Sequence, residues 1–108
     1  MRSLHHPHME EISLPEVLHA LSDPVRLQIV RELADREEQS CGAVEASVSK
    51  STLSHHFKVL REAGLTHTRA NGTHRLVSLR KLDLETRFPG LLMSVLEASR
   101  TGDATKVA

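Results

Sequence analysis

Residues 49–65 read Ser-Lys-Ser-Thr-Leu-Ser-His-His-Phe-Lys-Val-Leu-Arg-Glu-Ala-Gly-Leu, and their spacing decides the fold. Ser49 is placed to cap a helix that runs to Ala63, and Gly64 follows where a left-handed residue ends it. Leu53, Phe57 and Leu60 recur at helical spacing and share one face. At roughly 100° per residue, Ser51, His55, Lys58 and Glu62 lie on the opposite face. That outward face is small, polar and cationic toward its N-terminal half and has no apolar side chain, as a helix entering a groove would need. His56 lies beside Phe57 on the wheel and reads as a half-buried packing residue.

After Gly64, residues 65–70 and 73–79 are rich in Thr, Val and Leu and predict two strands, with Asn71-Gly72 between them as a hairpin signal. Arg69, His74 and Arg75 flank the tip. Toward the N-terminus, Ser13 and Glu16 fit a capping box for a first helix, with Pro15 early in it and Val17, Leu18 and Leu21 on one face. Ser22 or Asp23 caps a second helix that starts with Pro24 and carries Val25, Ile29, Val30 and Leu33 on its apolar side. Residues 35–39 read as a charged connector, and a short helix is expected from about Cys41 to Ala46, buried through Val44. Residues 82–88 suggest a helical turn, and Pro89 opens a last helix containing Leu92, Val95, Leu96 and Ser99. The expected organisation is a mobile, His-containing tail over 1–12, one domain over 13–100 and a flexible tail over 101–108.

A chain of 108 residues has room for one domain with a modest core, so burial through self-association is plausible on size alone. The longest apolar run is three residues, which predicts neither a membrane span nor a signal peptide. A single cysteine allows no internal disulfide and suits a reducing cytoplasm. Aromatic residues are only Phe57 and Phe88, too few for the stacking platforms that bind RNA or single strands. Formal charge cancels over the chain but not along it. From Glu10 to Ala46 three Arg face nine Asp/Glu, a net of −6, whereas from Ser47 to Lys81 seven Lys/Arg face Glu62 alone, a net of +6. A cationic segment within a neutral protein is the footprint of a polyanion-binding face.

Short helix, turn, longer helix and an Asn-Gly hairpin, in that order, make a mainly α fold with a small β-hairpin: a winged helix-turn-helix. In that architecture the longer helix enters the major groove of double-stranded DNA and the hairpin lays cations against the neighbouring backbone. The stretches His19-Ala-Leu-Ser-Asp-Pro-Val-Arg-Leu27 and Ser49–Leu65, with Asn71-Gly-Thr-His-Arg75 as the wing, resemble the ArsR/SmtB family of bacterial transcriptional regulators over roughly residues 14–96. The resemblance implies a homodimer formed through the first and last helices, an imperfectly palindromic operator, and a ligand that changes DNA affinity. Candidates for base edges or nearby phosphates are Ser51, Thr52, Ser54 and His55; Ser49, at the start of the 49–63 helix, and Asn71, at the wing, belong to the same DNA-binding set. Lys50, Lys58, Arg61, Arg69 and Arg75, with His74, are the phosphate candidates.

The sensing chemistry departs from the family's familiar patterns. Its arsenic and cadmium sensors carry a cysteine pair before the recognition helix, where this chain has Cys41 alone. Its zinc sensors use Asp, His and Glu on the last helix, and here that helix has no histidine. His5, His6 and His8, with His19 on the first helix, form the remaining candidate metal set, for Ni2+ first and Zn2+ second, as some nickel sensors of the family use N-terminal histidines. Cys41 offers a redox alternative if its thiol pKa is lowered at a helix start. An enzyme is not expected, because no phosphate loop or paired-carboxylate motif accompanies Cys41 and the histidines. A protein-interaction module is the rival class, and it should expose apolar anchors on the outward face of the 49–63 helix.

Overall fold

In a computed structural model, which describes residues 4–44 and 48–106, the first two helices are joined by the polar pair Ser22-Asp23. Helix α1 (Leu14–Leu21) starts at Ser13, whose Oγ accepts from the Glu16 N–H at 3.4 Å. Helix α2 (Pro24–Ala34) starts at Asp23, whose Oδ1 accepts from the N–H groups of Val25 and Arg26 at 2.8 and 3.1 Å. Pro24 sits in the first turn, where a missing N–H costs nothing. Burial alone would raise the Asp23 carboxyl. The N–H donors of Arg26 and Val25, with His56 and the Arg26 charge nearby, outweigh it and hold the group below the usual carboxylate range.

The core forms where α1, α2, helix α3 (Lys50–Glu62) and a sheet converge. Val17, Ala20, Ile29, Val30, Leu33, Phe57, Leu60, Leu65 and Val77 are all buried there. Helix α3 ends in a Schellman arrangement, with the Leu65 N–H donating to Leu60 O at 3.0 Å and the Gly64 N–H to Arg61 O at 3.1 Å. Gly64 has φ +89°, and a Cβ there would lie 2.5 Å from Ile12 Cγ1. Glycine is therefore needed for both backbone and packing reasons.

The sheet has three antiparallel strands in the order β1 (Gln39–Ser40), β3 (His74–Leu79), β2 (Thr66–Asn71). Strand β1, which pairs Gln39 with Val77 and Ser40 with Leu76, begins at the last residue of the charged connector expected over 35–39, where no strand was expected. Strand β2 alternates, burying Thr66 and Thr68 and exposing His67 and Arg69. Asn71 pairs with His74, so the central turn residues are Gly72 and Thr73 rather than Asn71 and Gly72. Gly72 has φ +64° and no other residue of the turn has positive φ, which places glycine at the first central position as a type II′ turn requires.

Three expectations need correction. The segment read as a mobile tail over 1–12 is packed from His6 onward: Ile12 is 1% exposed, Arg80 Nη1 donates to Pro7 O at 2.8 Å, and Arg87 Nη2 donates to Ile12 O at 2.7 Å. Residues 1–3 of that segment lie outside the described residues. The short helix expected over 41–46 is a single 3-10 turn at Cys41–Ala43, with Val44 buried as anticipated, and Glu45 and Ala46 lie outside the described residues. The tail expected to be flexible from Thr101 continues helix α5 (Leu91–Lys106) through Lys106. Residues 107–108 lie outside the described residues. Helix α4 (Lys81–Arg87) precedes α5, and Pro89-Gly90 forms the turn between them. Among the described residues no helix is long and apolar enough to cross a membrane.

Candidate nucleic-acid interface

Helix α3 packs against α1, α2 and β2 through Phe57 and Leu60, which leaves the other side free. Ser49, Lys50, Ser51, Thr52, Ser54, His55 and Lys58 are all exposed on a helix about 20 Å long. At its start, Ser49 Oγ accepts from the Thr52 N–H at 3.3 Å and lies 3.0 Å from Thr52 Oγ1 and 3.2 Å from Ser51 Oγ. The first turn is thereby organised as a cluster of three hydroxyls beside Lys50. Hydroxyls and a positive helix end suit phosphate oxygens and base edges alike.

The hairpin supplies a second group of candidates. Asn71, His74 and Arg75 are exposed at its tip, as expected for a wing. Among the described residues no ion pair or hydrogen bond engages the side chains of Lys50, Lys58 or Arg75, so their charges are available to a polyanion. The remaining two phosphate candidates differ. Arg61 is half-buried, with its Nε enclosed and without a hydrogen-bond partner in the described residues. Arg69 is exposed but paired: Nε and Nη2 donate to the two Glu38 oxygens at 2.7 and 2.9 Å. That pairing draws the Glu38 carboxyl down and pushes the Arg69 guanidinium up.

Behind the exposed face, His56 is buried as expected, but its partner was not foreseen. Arg26, only 8% exposed, brings Nη1 to 3.2 Å from His56 Nδ1 while Nε donates to Ala20 O at 2.7 Å. A signal for this existed: Arg26 lies at helical spacing from Ile29, Val30 and Leu33, so a charged side chain interrupts an apolar stripe.

The candidate metal donors are not brought together. His5, His8 and His19 are exposed, and among the described residues no three His, Cys, Asp or Glu side chains gather into a metal-holding group. His6 is committed to the fold. Its ring stacks on His67 at 4.4 Å between centroids, and its Nε2 accepts from the Thr68 N–H at 3.0 Å. Burial first, then His67, Arg61 and Arg80, push its pKa below the ordinary histidine value, against a hydrogen bond with the Leu4 backbone. At Cys41 the environment opposes the thiol activation that the redox alternative calls for. Burial pushes its pKa up, and the nearby Arg75 and Arg61 offset this only partly.

A broad groove of about 500 Å³ runs between the end of α2, α4 and α5, lined by Leu82, Leu92, Met93 and Leu96 among others. Leu82 and Met93 are 85% and 67% exposed, and Leu14 and Leu18 stand out from α1 one turn apart.

Residues 21–69 match a family model described as a helix-turn-helix domain. The chain is 46% identical over 80 residues to an uncharacterized HTH-type transcriptional regulator, YceK, of Bacillus subtilis, covering 71% of this chain and 80% of the relative. Among solved structures it resembles the transcriptional repressor BigR from Xylella fastidiosa, with a TM-score of 0.57 and 34% identity over 69% of this chain and 85% of that one. It also resembles an ArsR-like transcriptional regulator from Rhodococcus sp. RHA1, with a TM-score of 0.61 and 27% identity over 86% and 89% of the two chains. These relatives are transcriptional regulators rather than enzymes.

Proposed function

The chain belongs to the ArsR/SmtB family of winged helix-turn-helix transcriptional regulators, and on that premise we propose that it grips a pseudo-palindromic operator as a homodimer. Helix α3 enters the major groove, with Ser51, Thr52, Ser54 and His55 at base edges and Ser49 at the adjoining backbone. Lys50, Lys58 and, at the wing, Asn71, His74 and Arg75 engage flanking phosphates. Most of the affinity comes from phosphate neutralisation, and the choice of sequence comes from the few side chains in the groove.

The observation that carries this reading is the exposed face of α3, which is polar and cationic over its first two turns and free of apolar or aromatic anchors. A protein-docking helix would need such anchors. Self-association is supported by Leu14, Leu18, Leu82 and Met93, large apolar side chains exposed on α1, α4 and α5 that a second copy would cover. A twofold dimer then calls for inverted half-sites about 34–36 Å apart.

The reading includes no metal step and no thiol step. His6 Nε2 already serves the Thr68 N–H, and burial, which pushes the Cys41 thiol up, disfavours the reactive thiolate a redox step would need. Selection of bound duplexes from a random-sequence pool tests the proposal. Enrichment of a sequence with two inverted half-sites, bound by two chains with steep salt dependence, is expected. No enrichment, or a salt-insensitive complex, contradicts it.

A further inference from the structure

Burial of Leu60 and Phe57 seats helix α3 against the core, but it is non-directional and supplies no hydrogen bond, so it leaves the finer rotation of the helix to other contacts. Base readout does not tolerate roll, because Ser51, Ser54 and His55 must meet donors and acceptors at hydrogen-bond distance. A directional contact from the middle of α3 to a rigid part of the scaffold would remove that freedom, and one exists. His56, adjoining His55, faces Arg26 Nη1 at 3.2 Å from its Nδ1.

Arg26 is itself pinned. Its Nε donates to Ala20 O at 2.7 Å, its Nη2 to His19 O at 3.4 Å, and its backbone N–H to Asp23 Oδ1 at 3.1 Å. The guanidinium thus binds the end of α1 through Nε and Nη2 and presents one remaining nitrogen, Nη1, to α3. Arginine only donates, so His56 Nδ1 must accept and the ring proton must sit on Nε2. The Asp23 carboxylate is farther from His56 Nδ1, at 4.0 Å, and its Oδ1 already serves two backbone N–H groups.

We propose that Arg26 is a positioning residue which, through its hydrogen bond to His56, sets the rotation of the recognition helix and thereby the discrimination between DNA sequences. The inference rests on the DNA-binding reading above. It predicts a division of labour: the exposed cations control how tightly any duplex is held, and the buried Arg26–His56 pair controls how well one duplex is told from another.

Two measurements on the full-length protein test it. The first is the nitrogen spectrum of the His56 ring in the free protein, which should show the proton on Nε2. A proton on Nδ1 overturns the proposal regardless of any DNA result, and failure to select a duplex would fall on the DNA reading instead. The second compares affinity for the duplex selected from a random pool with affinity for mixed-sequence DNA. In His56→Leu the Arg26 Nη1 loses its acceptor, and the ratio should fall about tenfold, as for one mismatched base pair. Mixed-sequence affinity and the salt slope should stay unchanged. His56→Gln, whose Oε1 can accept from Arg26, should keep most of the ratio. Arg26→Lys keeps the charge but loses the fork, and it should resemble His56→Leu even if that variant folds poorly. Equal ratios in wild type, His56→Leu and Arg26→Lys, or a His56→Gln variant as impaired as His56→Leu, would overturn the proposal.

Discussion

Glu38 holds Arg69 at two points, so an acidic residue just before β1 neutralises a cation on the wing. Both side chains are solvent-exposed, and their mutual attraction adds little to stability. Its consequence lies in binding, because a paired guanidinium has less charge to offer a phosphate. Lys58→Ala and Arg75→Ala should each flatten the dependence of log affinity on log salt by about 0.9, one phosphate each. Arg69→Ala should change that slope far less. Fluorescence anisotropy over a salt series measures all three, and an Arg69→Ala slope change equal to that of Arg75→Ala would show the Glu38 pairing to be irrelevant.

Gly64 meets Ile12 where α3 turns into β2, at φ +89° and with no space for a Cβ. Gly64→Ala should destabilise the fold by roughly 1–3 kcal/mol from backbone strain, with a further loss as Ile12 is displaced. Gly72→Ala also sits at positive φ but has open space around it, so it should cost only the backbone strain, about 1–3 kcal/mol, without the packing loss. Urea unfolding ranks the two, and a Gly72→Ala variant as damaged as Gly64→Ala would refute the packing part of the argument.

His6 links stability to pH. Its pKa in the folded chain is depressed by burial and by His67, Arg61 and Arg80, so the neutral ring is the form the fold prefers. The unfolded chain therefore binds the proton more tightly. The His6 contribution is fully present above about pH 6.5 and is lost as pH falls from there through the lower folded value. His6→Gln removes the titrating group, so the drop in urea midpoint on acidification should be smaller in the variant than in wild type. Identical drops would contradict the assignment.

Much of the helical framework was legible in the sequence because its signals are local. Ser13, Asp23, Ser49 and Gly64 cap or end helices where the sequence indicated. Polar side chains on the far side of Leu53 and Phe57 marked the candidate binding face. What escaped depends on distant partners. Gln39-Ser40 is too short to have a period, and it is a strand only because β3 offers an unpaired edge. Met9–Ile12 has no pattern of its own, and Arg87 and the floor left by Gly64 are what hold Ile12. Arg69 looked like any other wing cation, and nothing near it in the chain announced Glu38, 31 residues away. The turn moved by one residue for a related reason, since the Val77 and Leu79 packing fixes the register and the turn must follow.

Cys41 should behave as a small, partly buried side chain rather than a sensor. With its thiol pushed up by burial, its alkylation by iodoacetamide near neutral pH should be slower than that of an unstructured cysteine peptide. Cys41→Ser should bind DNA like wild type before and after mild peroxide. Fast alkylation, or a peroxide response that Cys41→Ser abolishes, would restore the redox alternative.

The most direct test of the central claim is a backbone-amide NMR titration of the full chain with the duplex it selects from a random pool. Signals of residues 50–58 and 71–75 should shift first and furthest, while those lining the α4–α5 groove should stay in place. Silence at 50–58 and 71–75, with the shifts gathered instead around Leu82 and Met93, would contradict the account.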